Sequence, residues 1–209
     1  MVKFLKNQIV FYEQMIRQAR TVGAFGSASR AVAEEIASPI VRKRDQRLRV
    51  LEVGAGTGAL TKAIIERLGP GDSLVLCEIN PHFVLVLREV FRTRPGGPEI
   101  TIFDRDIEDL PREDRYDVIV SSLPLMNFSP DKVRRIYDLY LERLVPGGTI
   151  SYFDYWAKEL STFVTAGPER RRIRETLRIQ REYADKYEVH KRVIPWNVMP
   201  ACVHHLRRD

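Results

Sequence analysis

Apolar residues fall along this chain in two alternating rhythms. Short runs of strand length occupy residues 50–53, 73–77, 99–103, 116–121 and 149–155. Between them, apolar positions recur at three- and four-residue spacing, which predicts helices over 57–68, 81–92 and 131–143. Pro81 is tolerated in a first helical turn. Gly69-Pro70-Gly71, Pro95-Gly96-Gly97-Pro98 and Val145-Pro146-Gly147-Gly148 read as turns between the elements. Strands alternating with helices at this spacing imply right-handed βαβ units and an α/β fold with a mostly parallel sheet.

The two ends follow other patterns. Over residues 3–20, Phe4, Leu5, Ile9, Tyr12, Ile16 and Ala19 make a helical stripe accompanied by Lys3, Lys6, Arg17 and Arg20. Such a basic amphipathic helix can dock on the domain or lie in a membrane interface. A break at Gly23-Ala24-Phe25-Gly26-Ser27 precedes a second helix to about Ala37, with Ser27 or Ser29 as its cap. In the tail, a helix over 168–183 carries Arg170, Arg171, Arg172, Arg174, Arg178 and Arg181. Runs 187–194 and 201–207 alternate as strands, and their short connection makes them an antiparallel pair. The expected organisation is a single domain over 1–209, with an N-terminal helical cap at 1–47 and an α/β core at 48–209.

Composition narrows the class. The chain has 209 residues, 44% hydrophobic and 30% charged, enough for a substantial core. No apolar run reaches the roughly 20 residues that span a bilayer, and the N-terminus lacks a signal-peptide pattern. Two cysteines, Cys77 and Cys202, favour a reduced, cytoplasmic setting over a disulfide scaffold. His190, His204 and His205 show no ligand spacing with those cysteines, so no metal is expected. The net charge of +6 is distributed as +6 over residues 1–49, −5 over 50–167 and +5 over 168–209. Basic flanks around an acidic middle suit a polyanionic surface, whether anionic lipid headgroups or nucleic acid.

The chemistry concentrates at Val50-Leu51-Glu52-Val53-Gly54-Ala55-Gly56-Thr57-Gly58. A buried strand ends in a glycine turn, and N–H groups opening the next helix are donors for a bound polar group. Gly54, Gly56 and Ala59 satisfy a dinucleotide pattern, with Glu78 lying 20 residues beyond Gly58. However, Glu52 stands where a dinucleotide site has an apolar residue, and no second substrate domain is present. Asp106-Ile107 adds a further acidic point after the third strand. Carboxylates for a cationic amino-acid end and a ribose, with a polar–apolar pair for a purine, suit S-adenosylmethionine.

These motifs resemble those of class I S-adenosylmethionine-dependent methyltransferases. The resemblance implies a Rossmann-like, seven-stranded sheet with one antiparallel strand and helices on both faces. It also implies that Glu52, Gly54, Gly56 and Gly58 face the methionine moiety, Glu78 the ribose, and Asp106 with Ile107 the adenine. Ser121 and Ser122 close the cofactor site. The loop Ser122-Leu123-Pro124-Leu125 stands where adenine methyltransferases carry an amide, a proline and an aromatic. Without that amide and ring a nucleic-acid substrate is not expected, and an rRNA adenine dimethyltransferase is the second choice. A non-catalytic binding protein is the third.

Nearly the whole chain is similar to the bacterial phospholipid N-methyltransferases and the related ornithine-lipid enzymes. The similarity includes Gly23-Ala24-Phe25, Asn127-Phe128, Ser151-Tyr152 and Asn197-Val198-Met199-Pro200-Ala201. It implies a membrane aminolipid substrate, phosphatidylethanolamine or ornithine lipid, and peripheral association with the anionic cytoplasmic face of a membrane. Leu123 and Pro124 would line the acceptor slot. Tyr12 and Tyr152 are candidates to orient the amine or hold methylated cations.

Overall fold

The computed structural model describes residues 25–42, 46–91, 95–155, 166–195 and 200–209. The expected helix at 3–20 with Tyr12, the Gly23-Ala24 step and the Asn197-Val198-Met199 link lie outside the described residues. In chain order, α1 spans Phe25–Ile36, β1 Arg49–Val53, α2 Thr61–Ile65, β2 Ser73–Cys77, α3 Pro81–Val90, β3 Glu99–Phe103 and β4 Tyr116–Ser121. There follow α4 at Pro130–Arg143, β5 at Leu144–Tyr155, α5 at Gly167–Tyr187, β6 at Glu188–Ile194 and β7 at Ala201–Arg207.

All seven strands form one sheet in the order β3-β2-β1-β4-β5-β7-β6. Strands β1 to β5 pair in parallel, and β7 runs antiparallel to both β5 and β6. This is the seven-stranded, Rossmann-like sheet with one antiparallel strand that the resemblance implies.

Two-residue alternation then splits the core into two layers. Leu51, Val53, Ile119 and Ile150 pack with Tyr137, Tyr140, Ile179 and Tyr183 from α4 and α5. Val50, Val118, Val120 and Val203 pack on the other face with Ile36 of α1, Ile64 of α2 and Leu87 of α3. Glu52, between Leu51 and Val53 of the first layer, is thereby set on the face of the second.

Several boundaries differ from expectation, each for a local reason. Gly58 has φ +83, a conformation no helix contains, so regular helix starts at Thr61 rather than residue 57. Helix α1 already begins at Phe25, which puts Ser27 and Ser29 inside it rather than at its cap. Val145-Pro146-Gly147-Gly148 belongs to β5, because Gly147 N–H donates to Arg208 O and Arg208 N–H to Gly148 O. The surplus residues are absorbed where the register jumps from Tyr116↔Leu144 to Val118↔Thr149. Helix α5 runs on to Tyr187, past the expected end at 183. Asn80 caps α3 by accepting from His82 N–H at 3.0 Å, with Pro81 as its first residue.

Candidate active site

The register Val53↔Cys77 and Cys77↔Phe103 aligns the carboxyl ends of β1, β2 and β3, and Val53↔Ser121 adds β4. Gly54, Glu78, Asp106 and Ser122 therefore emerge on the same edge. Here the chain order reverses between β1 and β4, the crevice where open α/β sheets bind ligands.

Gly54, Gly56 and Gly58 have φ of +75, +57 and +83, left-handed values that favour glycine. Added carbon at Gly58 would stand 2.0 Å from the Phe91 ring, so the turn is held closed by packing as well. Four of its N–H groups are committed within the protein. Gly54 and Ala55 N–H donate to Cys77 O at 2.9 and 3.3 Å, and Gly58 N–H to Ala55 O at 2.9 Å. Gly56 N–H donates to Glu78 Oε2 at 2.9 Å. Four N–H groups of the turn are thus engaged within the protein, which fixes its shape.

Glu52 is fully buried. Thr61 Oγ1 donates to its Oε2 at 2.6 Å, while Oε1 is buried with no hydrogen-bond partner among the described residues. Burial, opposed by the Thr61 hydrogen bond and reinforced by the nearby Glu78 charge, pushes this carboxyl up to about 8. An unsatisfied buried carboxyl calls for a cationic partner. Together with Glu78 it would repel a pyrophosphate, so these residues fit an aminoacyl end and reject a dinucleotide.

Glu78 is buried, and its oxygens accept from Gly56 N–H and, at 2.8 Å, from Asn80 N–H. Each ionised oxygen retains a second acceptor direction, enough for a ribose diol. Asp106 Oδ1 caps the short turn Ile107–Asp109 through Glu108 N–H at 3.1 Å, and Oδ2 pairs with Lys132 Nζ at 3.0 Å. Ile107 is buried in the core.

The loop after β4 is bolted to this wall. Ser122 Oγ donates to Gly54 O, Ser121 Oγ pairs with Tyr140 OH at 2.7 Å, and Leu123 N–H reaches Ser121 Oγ at 3.4 Å. A carbon added at Gly54 would stand 3.0 Å from Leu123 Cδ2, so Leu123 lies directly over the turn. Pro124 precedes the single turn Leu125–Asn127. From α5, Arg172 Nη1 donates to Met126 O at 2.6 Å and Phe128 O at 2.8 Å, clamping the loop's far end. Tyr152 is placed differently. It is buried, one ring face is covered by His204 (centroids 4.9 Å apart, 9° between planes), and its edge meets Tyr137.

Residues 50–148 match a family model described as a methyltransferase domain. The ornithine lipid N-methyltransferase of Singulisphaera acidiphila is 31% identical over 105 residues, 49% of this chain and 55% of that protein. The ubiquinone/menaquinone biosynthesis C-methyltransferase UbiE of Pectobacterium carotovorum is 32% identical over 56% of this chain and 48% of its own length. The chain spans about half the length of these curated relatives. Among solved structures, the N-methyltransferase NodS from Bradyrhizobium japonicum superposes with a TM-score of 0.64 at 16% identity, covering 88% of this chain and 97% of that one.

The chain has the class I methyltransferase fold, and its residues 50–148 match a methyltransferase-domain model. The residues at this edge fit S-adenosylmethionine, and structural neighbours hold that molecule or its demethylated product. In the methyltransferase domain, Glu52 would hold the methionine ammonium, Glu78 the ribose, and the glycine turn would pass beneath.

Three contributors were missed from sequence. Thr61 sits nine residues from Glu52 with no pattern linking them. Tyr140 was read only as part of an amphipathic helix. Arg172 reads from sequence as part of a surface charge run, although its guanidinium is directed inward onto the loop after β4.

Proposed function

We propose that this chain transfers methyl groups to the amine of a membrane aminolipid, phosphatidylethanolamine with its methylated intermediates or ornithine lipid, from the cytoplasmic face of a membrane. The observation that carries this reading is the acceptor loop. Leu123 is seated over Gly54 and followed by Pro124, apolar side chains beside the glycine turn that would line an apolar acceptor slot. It has no amide to grip a base edge and no ring to stack on one. The ornithine lipid relative supports the substrate class.

When bound, the cofactor supplies an electrophilic methyl on a sulfonium. The protein's part is to place and desolvate the acceptor nitrogen. An ammonium has no lone pair, and an apolar slot disfavours the charged form, so the lining itself promotes proton loss before attack. Ser122 and Arg172 keep that lining in register with the turn. Tyr12 would orient the amine from the N-terminal segment.

The basic flanks would attract anionic headgroups at about 1 kcal/mol per well-placed side chain. Exposed Arg171 and Arg174 on α5 are the described candidates. Arg172 and Arg178 are instead engaged with the loop and with Glu175 and Glu182. No helix among the described residues is long and apolar enough to cross a membrane.

Mass spectrometry of lipids from cells expressing the protein tests the proposal, with mono-, di- and trimethylated headgroups as the expected products. The UbiE relatives favour a second reading, carbon methylation in quinone biosynthesis. Altered quinones with unchanged aminolipids would replace the first reading by the second. Deleting residues 1–20 should weaken sedimentation with anionic vesicles; unchanged binding would remove that segment from the membrane contact.

A further inference from the structure

On the sheet face that carries Glu52, one transverse row runs Glu52, Val120, Ser151, His205 and His190, each the register partner of the next. At its far end the row meets Glu35 of α1. His190 Nε2 and His205 Nε2 lie 3.3 and 3.4 Å from the same atom, Glu35 Oε1. The two imidazoles stack with centroids 5.4 Å apart and 15° between planes. We infer that Glu35, His190 and His205 form a binding site for a divalent metal of the zinc class.

The geometry carries the assignment. Zinc bonds nitrogen and carboxylate oxygen at about 2.0–2.2 Å in a tetrahedron, whose edges are then about 3.3–3.5 Å. Two of the three edges already have that length. All three ligand atoms lie within 4.8 Å of one another, and the exposed His190 side chain closes the remaining edge.

The surrounding groups orient the ligands as metal sites require. Ser151 Oγ holds His205 Nδ1 at 2.9 Å, so with the proton on Nδ1 the Nε2 lone pair faces Glu35. Arg192 Nη1 takes the other carboxylate oxygen, Oε2, at 2.6 Å and leaves Oε1 to the metal. His190 is 57% exposed, which opens the fourth position to water.

The row spacing puts His205 roughly 14 Å from Glu52, three strand intervals away. The ion would therefore not touch the transferred methyl. It would tie α1, near the start of the chain, to the β6–β7 hairpin at its end.

The test uses the full chain, stripped with chelator and titrated with zinc sulfate. One zinc per chain is expected. At a hundredfold excess over Kd, the unfolding midpoint should rise by about 5–10 °C. His190→Ala should lose at least tenfold in zinc affinity and most of that shift. His82→Ala, an exposed histidine elsewhere, should lose neither. Independently of any variant, one equivalent of zinc should protect His190 from diethyl pyrocarbonate, read by peptide mass mapping. No uptake by the wild type, retained uptake in His190→Ala, loss in His82→Ala, or unchanged modification of His190 would each overturn the inference.

Discussion

Glu52 and Glu35 stand at opposite ends of one row on one face of the sheet, and both are buried. Burial drives each carboxyl towards its neutral form. At Glu35, the hydrogen bonds and charges of Arg192 and His205 overcome that drive and hold the carboxyl below its usual range. At Glu52 only the Thr61 hydroxyl opposes burial, the Glu78 charge adds to it, and the carboxyl stands near 8 with Oε1 unpartnered. One acid has its counter-charge built in across the chain termini. The other is left incomplete beside a glycine turn whose four innermost donors, Gly54, Ala55, Gly56 and Gly58 N–H, are engaged elsewhere. The incompleteness separates a ligand-binding carboxylate from a structural one; burial alone does not.

The largest effect should come from spoiling the frame that keeps Glu52 in place. Gly58→Ala forces an L side chain into φ +83 and drives its carbon into the Phe91 ring, 2.0 Å away. Strain and overpacking together predict a loss of about 2–5 kcal/mol, readable by urea unfolding. A variant of wild-type stability would mean that the turn rearranges freely.

Next come two isosteric changes that should dissociate from each other. Glu52→Gln mimics the neutral acid, so below about pH 4.5, where that acid is neutral folded or unfolded, stability should stay within about 0.5 kcal/mol. Affinity for S-adenosylhomocysteine should fall about 10- to 100-fold, because a charge-assisted contact is lost. Glu35→Gln, compared in metal-free protein, should lose about 1–2 kcal/mol of stability with cofactor affinity unchanged. Calorimetric titration and thermal unfolding of both variants decide it. The contrast fails if the two behave alike.

The pH dependence follows with its sign fixed. Glu52 has an ordinary value of 4.5 and a folded value near 8. Its contribution to stability is therefore complete below about 4.5 and lost as pH rises through about 8. Wild type should lose stability relative to Glu52→Gln between about pH 4.5 and 8 and level off above that. An incoming ammonium favours the carboxylate, so binding should release about one proton per chain below pH 8. Titration in buffers of different ionisation enthalpy measures it.

These carboxylates were legible to different degrees. Alternation and turn residues located every strand, with β2, β3, β4 and β7 placed to the residue, because two-residue alternation and flanking Gly, Pro and Asp are local signals. Glu52, Glu78 and Asp106 were found because each ends or follows a strand in an ordered series. Glu35 carries no local signal of a role. Its partners His190, Arg192 and His205 lie more than 150 residues away, and only the β6–β7 pairing folds them back onto α1. The donor count in the glycine turn was equally hidden, since Cys77 O and Glu78 reach it across strands. Local pattern thus identifies which residues can act. Whether their polar atoms are spent or spare is settled by tertiary contacts.

The smallest expected effect tests that last point most directly. Thr61→Val keeps shape but removes the one hydroxyl donated to Glu52, at a cost of about 1 kcal/mol. That hydrogen bond favours the ionised carboxyl, so its loss should lift the Glu52 titration further above 8. Cofactor affinity, measured from pH 7 to 9.5, should then keep rising at pH values where wild type has levelled off. Glu35 shares no contact with Thr61, so the stability lost in Glu35→Gln should add to that of Thr61→Val without coupling. An affinity profile identical to wild type would show that the proton released on binding does not come from Glu52. The two ends of the row would then differ in packing alone.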